Sequence, residues 1–249
     1  INLPTILNAN TTNTITFQSE SLDSTAVILT YASASAGANY TLRFNGGDYY
    51  TFQKMTIRAT GATYGTAISI QSYAQRNNIL NNIIEGVAVN STSTWHAVIY
   101  SPNGNDNYLN IKNNIIKNGG YGIYLRGNNT TSLESFLEIE NNTITGHYYL
   151  GIYLLYMNAP IIKSNTIHNT SALSWSRGMY LQYVDNAFSI EYNKISGNNQ
   201  YGLYMLRCDA TPSNQGIIKN NFISTSTTVS NASFPIYIQL SYNINLYYN

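Results

Sequence analysis

Charge is the first thing this chain lacks. Only 9 % of its 249 residues are Asp, Glu, Lys or Arg, with a net charge of +1, against about 25 % in an ordinary soluble domain. No basic run or polybasic face exists, which argues against nucleic acid as a partner. Cysteine is nearly absent too. Cys208 stands alone, so no disulfide staples the chain, and it reads as a small side chain at a turn rather than a reactive thiol. No stretch reaches the roughly 18 consecutive apolar residues of a transmembrane helix. Helical periodicity is missing as well. Apolar residues do not recur at i, i+3, i+4, i+7 over any long window, and the abundant Asn, Thr, Gly and Tyr are poor helix formers.

What is present is a repeat. An aliphatic residue, two variable positions, Asn, one variable position and Ile return six times. The copies are Ile79 to Ile84, Ile111 to Ile116, Ile139 to Ile144, Ile162 to Ile167, Ile190 to Ile195 and Ile218 to Ile223, starting 23 to 32 residues apart. Phe52 to Ile57 reads as an earlier copy with Met55 for Asn, and Leu240 to Asn245 as a decayed later one. Such a period is the mark of a solenoid. The aliphatic ends of a frame are an odd number of residues apart, so the chain must bend between them to bury both. The Asn is placed at that bend, since Asn tolerates left-handed backbone and bonds nearby backbone groups. Stacked in successive coils, the amides can also bond one another.

A second short strand follows each frame: Ala67 to Ile70, Ala97 to Tyr100, Gly122 to Leu125, Gly151 to Leu154, Gly178 to Leu181, Gly202 to Met205 and Pro235 to Ile238. Strands alternate faces. Ile123, Ile152, Met179 and Leu203 therefore point inward with the residues two further on, and the Tyr between points out. The expected fold is all-β, a right-handed parallel β-helix solenoid of about eight coils. At about 4.8 Å per coil it is a rod roughly 40 Å long. Residues 1–50 form opening coils and 51–249 the regular ones, all in a single domain. The register has an independent check. Lys112, Glu140, Lys163, Glu191 and Lys219 occupy one frame position, so in-register stacking makes a column of alternating charge in which opposite neighbours attract.

At the repeated Asn-x-Ile and Gly-Ile-Tyr-Leu frames the chain resembles the right-handed parallel β-helix repeat proteins of the pectate-lyase-like superfamily. Its opening, Asn13 to Ala26 followed by Phe52 to Ile57, resembles large secreted, adhesin-like surface proteins of gliding-type bacteria. The resemblance covers nearly the whole chain and speaks to fold, because the fold hosts lyases, hydrolases, adhesins and phage fibres alike. The hydrolase branch implies an adjacent Asp pair, a Gly-His-Gly and an Arg-x-Lys, none of which occurs. The lyase branch implies an Arg or Lys base, often with acids holding Ca²⁺. Arg126, Arg177 and Arg207 lie near the second strands without an acid cluster.

No catalytic residue, metal site or cofactor is expected. His96, His147 and His168 lack zinc spacing and read as surface or turn residues. Gly104-Asn105-Asp106-Asn107 offers one carboxylate and reads as a polar turn rather than a Ca²⁺ loop. Asn39, Asn90, Asn169 and Asn231 head N-x-S/T sequons of the kind an Asn-rich chain produces by chance. The outward features that repeat are aromatic. Tyr124, Tyr153, Tyr180 and Tyr204 hold one position in four consecutive coils, Tyr237 follows, and Ser69 and Ile99 precede. Longer loops carry Trp95 and Trp175 on the same side, about three coils apart. Such a stripe binds sugar faces or protein surfaces, or serves only as a stabilising ladder.

The expected function is a non-enzymatic rod or adhesin, secreted or on a cell surface, with polysaccharide or another surface glycan as the ligand. A polysaccharide lyase or glycoside hydrolase is the alternative. The chain starts without a signal peptide and has no amphipathic cap at either end. It reads as a piece of a longer secreted protein, the rest of which is its nearest partner.

Overall fold

A computed structural model describes residues 1–104, 106–226 and 232–249; Asn105 of the Gly104–Asn107 turn and the Asn231 sequon lie outside them. The chain winds as a right-handed, all-β parallel solenoid of about eight turns. Each regular coil contributes one strand to each of three parallel sheets of 10, 9 and 8 strands. The first sheet holds Ala97–Gly104, Tyr121–Gly127, Leu150–Asn158, Arg177–Asp185 and Tyr201–Leu206. The second holds Asn110–Lys112, Glu138–Glu140, Ile161–Lys163, Ser189–Glu191 and Gly216–Lys219, and the third Ile115–Lys117, Thr143–Thr145, Thr166–His168, Lys194–Asn198 and Phe222–Thr225.

The interior is a set of stacked columns. Ile84, Ile116, Ile144, Ile167 and Ile195 are fully buried, with Ile223 partly buried against them. Ile123, Ile152, Met179 and Leu203 form the second column. Between the two lies a reason for the recurring Gly. A Cβ on Gly122, Gly151, Gly178 or Gly202 would come within 2.2 to 2.6 Å of the Cγ2 of Ile144, Ile167, Ile195 or Ile223 respectively. The glycine is there because an isoleucine occupies the space of its side chain.

The Asn of each frame bonds the amides of neighbouring coils as expected, but it is not the left-handed residue of the bend. The left-handed residue is the variable one before it: Lys54, Asn81, Asn113, Asn141, Ser164, Tyr192 and Asn220 have φ between 54 and 58°. Lys, Ser and Tyr accept this strained conformation because it delivers the backbone N–H to a carbonyl of the next coil, as in Ser164 to Glu191 at 2.9 Å and Tyr192 to Lys219 at 3.2 Å. The frame Asn points inward. Asn165 donates through Nδ2 to Ile139 O, 2.8 Å away, and through Nδ2 and its backbone N–H to Asn193 Oδ1, each at 3.0 Å. Its own Oδ1 accepts the same pair of bonds from Asn142. The pattern runs through Asn82, Asn114, Asn142, Asn165, Asn193, Asn221 and Asn249. Met55 N–H joins it by donating to Asn82 Oδ1 at 3.1 Å, as its place in the frame implied.

Asn249 also corrects the expected last copy. The second-sheet strand Gly216–Lys219 pairs with Ile244–Tyr247, Ile218 opposite Leu246. The frame is therefore Leu246-Tyr247-Tyr248-Asn249, not Leu240 to Asn245. Asn243, the Asn of the rejected copy, instead donates to Ala210 O, 2.8 Å away at another corner.

The charge column stands as expected: Lys112, Glu140, Lys163, Glu191 and Lys219 are successive register partners. Lys112–Glu140, Lys163–Glu191 and Lys219–Glu191 lie 3.1, 4.0 and 3.4 Å apart. A second such column, Arg58, Glu85 and Lys117, crosses the third sheet. These pairs are partly exposed and contribute a few tenths of a kcal/mol each, roughly, so they specify register more than stability.

Two expected outcomes follow from the packing. Asn165→Ala leaves the Asn142 amide and backbone N–H without an acceptor, costing about 3 kcal/mol in urea unfolding. Gly178→Ala, whose Cβ would meet Ile195 Cγ2 at 2.3 Å and Gly202 O at 2.6 Å, costs roughly 1–3 kcal/mol through overpacking. Gly37→Ala, with nothing within 4 Å, is the neutral control. Equal midpoints for the two glycine variants would refute the packing account.

Candidate functional site

The outward face of the first sheet is aromatic along most of its length. The register runs Arg43, Ser69, Tyr100, Tyr124, Tyr153, Tyr180, Tyr204, Tyr237. Tyr100, not Ile99, precedes Tyr124. The second strand of that coil is offset by one residue from its expected copy, and Ile99 is fully buried. Successive ring centroids are 5.3, 4.9, 5.1, 4.7 and 5.4 Å apart from Tyr100 to Tyr237. This is the coil spacing, so the rings lean on one another and present edges and hydroxyls outward. Tyr153 and Tyr180 donate to Gln182 Oε1 at 3.4 and 3.2 Å, and Tyr204 donates to Gln239 Oε1 at 3.0 Å.

A second aromatic row flanks the first. Trp95 packs on Tyr64 of the preceding coil at 4.9 Å, and Trp175 packs on Tyr149 at 4.8 Å in the same way. Tyr149 touches Tyr121, and Tyr121 meets Tyr124 edge-on at 5.4 Å, joining the Trp175 loop to the main column. Tyr121 also donates to Thr92 O in the Trp95 loop, 3.1 Å away. Ala97, Tyr121 and Leu150 form a small buried cluster outside the coil wall, under these loops. The two tryptophans keep 45 and 41 % of their surface exposed, so each covers its neighbour with one face and leaves the rest free. Further along, Tyr201 contacts Tyr204 and Tyr237, both at 5.0 Å.

Arg177 sits against three of these rings. Its Cζ lies 4.9, 5.2 and 4.8 Å from the ring centroids of Tyr180, Tyr201 and Tyr204, with Nε donating to Gln200 Oε1 at 3.0 Å. Burial pushes the phenols of Tyr121, Tyr124, Tyr153, Tyr180 and Tyr204 above their ordinary value. The row is thus a line of neutral hydroxyls, each able to donate and accept.

The structure brings Tyr124, Tyr153, Tyr180 and Tyr204 together and places Trp95 and Trp175 along one flank of them. Sequence reasoning missed Tyr100, Tyr121, Tyr149 and Tyr201, and it placed Arg177 near the second strands without its contact to the rings. The signal for most of them was the position just before each Gly, where Tyr121, Leu150, Arg177 and Tyr201 share one column. Burial adds to three other readings. His96, in the short turn Thr94–His96, and His147, between two strands, are both buried, and Asp106, expected in a polar turn, is fully enclosed. Cys208, expected as a small side chain at a turn, is buried, which pushes its thiol up to about 12. Among the described residues no three His, Cys, Asp or Glu side chains converge as a metal site.

His147 gives the rod a pH response. It sits beside a cleft of about 300 Å³ lined by Ala88, Asn90, Asn169 and Ser171. Its Nε2 faces Asn198 Oδ1 at 3.4 Å. Burial lowers its pKa from 6.5 to about 4. Between those values the unfolded chain binds the extra proton, so stability falls as pH drops from about 6.5 to about 4, by roughly 3 kcal/mol. Urea midpoints across that range should separate wild type from His147→Gln, which lacks this component of the slope. Parallel curves for the two proteins would contradict it.

Residues 96–249 match a family model described as the right handed beta helix region. No curated protein matches the sequence. Among solved structures the periplasmic alginate epimerase AlgG is similar at 11 % identity and a TM-score of 0.44, over 82 % of this chain and 50 % of that one. The Dettilon tailspike protein is similar at 16 % identity and a TM-score of 0.45, over 80 % and 42 %. The chain spans half or less of the length of these structures.

Proposed function

As the chain belongs to the right-handed β-helix family, we propose that it is a non-enzymatic rod of a secreted or surface protein, carrying glycan-binding capacity on its first sheet. The observation that supports this reading is the continuous aromatic face: six stacked tyrosines from Tyr100 to Tyr237, flanked by the half-exposed Trp95 and Trp175. Folding alone asks only for an outward residue there, and Ser69 and Arg43 serve in the early coils.

The ligand meets this surface in two ways. A polysaccharide laid along the rod exchanges hydrogen bonds with the tyrosine hydroxyls and with Gln182 and Gln239. Its apolar ring faces pack on the free sides of the tryptophans, which stand three coils, or about 14 Å, apart. Each aromatic contact contributes on the order of 1 kcal/mol, so a single rod binds weakly and repeated display strengthens it. Against a glycosidase reading, the columns beside the tyrosines carry Arg126 and Arg177, and the neighbouring acids, Asp185 and Asp209, lie five residues beyond Tyr180 and Tyr204 rather than flanking the aromatic face as that chemistry requires.

The test is a glycan array. Tyr153→Ala with Tyr180→Ala should weaken binding by more than about tenfold, while Tyr156→Ala with Tyr183→Ala, a tilted ring pair three residues further along the same two strands, leaves it intact. Circular dichroism verifies the fold of both. Unchanged binding in the first double variant makes the column purely structural, and depolymerisation of a polysaccharide by the purified protein overturns the non-enzymatic reading.

A further inference from the structure

At the corner between the first and second sheets the interior wall is apolar in most coils. Ala74 stands there in one coil, and Met157 and Val184 in two later ones, all fully buried. The two coils between them break the rule. Glu134 is the register partner of Met157. Asp106 lies one coil before it, as the bonds from Ser135 N–H to Asn107 Oδ1 at 2.7 Å and from Tyr108 N–H to Ser135 O at 3.0 Å require. Both carboxylates have no exposed surface. The Asp106 carboxylate rests against Gly104, and the backbone and Cβ of Glu134 rest against Gly127, the two glycines being register partners. A Cβ on Gly104 would lie 2.9 Å from both Asp106 carboxylate oxygens, and one on Gly127 would lie 3.2 Å from Glu134 Cβ.

Very little of the chain answers these charges. Ser101 donates to Asp106 Oδ2 at 2.6 Å. Asp106 Oδ1 and both Glu134 carboxylate oxygens have no hydrogen-bond partner. The backbone N–H groups of Ala74 and Asp106 are turned toward Asp106 and Glu134 respectively, at a geometry short of a hydrogen bond. The other charged side chain facing the corner is Asp48, also an acid, whose Oδ1 accepts the Gln75 N–H at 2.6 Å. Among the described residues no Lys, Arg or His is ion-paired to either carboxylate.

We propose that Asp106 and Glu134 bind a calcium-like hard divalent cation inside the rod, bridging two successive coils. Two carboxylates carry the charge that one divalent ion neutralises, and buried charge is stable only when it is met. The donors are all oxygens, which select a hard ion over zinc or copper. Calcium accepts irregular geometry and sheds water readily, whereas magnesium holds its waters and demands an octahedron. The three orphaned oxygens explain the choice over a shared proton. A proton held between the two acids needs a direct hydrogen bond, and Glu134 makes none. Oxygens on opposite sides of a calcium ion, each about 2.4 Å from it, stand too far apart to bond one another. The site is separate from the tyrosine face and independent of what that face binds.

The test uses the purified chain after chelation and desalting. Calorimetric titration with Ca²⁺ should give one binding event per chain, and saturating Ca²⁺ should raise the unfolding temperature more than equal Mg²⁺. In Glu134→Gln the affinity should drop by more than about tenfold and the thermal shift should vanish, while Asp209→Asn, which alters an exposed acid, retains both. If Glu134→Gln fails to fold, the wild-type titration and thermal shift decide alone. A wild type that neither binds Ca²⁺ nor gains thermal stability from it overturns the proposal, as does Ca²⁺ binding that persists unchanged in a folded Glu134→Gln.

Discussion

A coil that turns three corners in fewer than about three dozen residues must bury backbone polar groups where regular sheet pairing stops, and a buried unpaired amide costs as much as a lost hydrogen bond or more. Meeting that cost shapes the whole rod. At the corner between the second and third sheets the answer is one Asn per coil, its amide bonded to the coils on both sides. The same bonds hold coils in register. A slip of one residue would place where the amide belongs either Ile83, Ile115, Thr143, Thr166, Lys194 or Phe222, or else the left-handed residue before it, so the corner enforces the alignment from which the isoleucine columns and the alternating charges follow.

The second constraint is space. The interior is narrow enough that Ile144 and Gly122 cannot both have side chains at their contact. This couples two sheets: the third supplies the branched residue and the first supplies the glycine. Electrostatics enters as a minor term, since the Lys112 to Lys219 column is partly exposed and screened. The outward surface of the first sheet is left largely free of these obligations. Tyrosine at that position therefore reflects either the stabilising contact of ring on ring or contact with something outside, and both act through the same side chains.

Much of the fold was legible because a solenoid repeats its physics at short range. The inward isoleucines, the second column from Ile123 to Leu203 and the charge alternation all follow from strand alternation and the repeat period. The errors came where local pattern and neighbouring-coil demand part. The motif Ala97 to Tyr100 is spelled like its neighbours and points Ile99 outward, but the register pairs Ile99 with Ile123 and Tyr100 with Tyr124. Leu240 to Asn245 has the right spelling of a frame, yet Leu246 to Asn249 is the segment that meets the preceding Asn. The Asn was assigned the left-handed corner on propensity, whereas the strained position takes Lys, Ser or Tyr when a carbonyl in the next coil receives its N–H.

By itself the sequence determined the class of fold, the coil count, the inward columns and five members of the aromatic stripe, because each depends on spacing along the chain and on alternation within a strand. Only the tertiary structure decided what stacks on what across coils of unequal length. Tyr121 and Tyr149 join the stripe, Arg177 sits over three of its rings, His147 is enclosed, and Asp106 meets Glu134 in a sealed corner. Those relations depend on how loops of different length return to a common register. A loop's length is written in the chain, but the side chains it brings together are set by the coils it lies between.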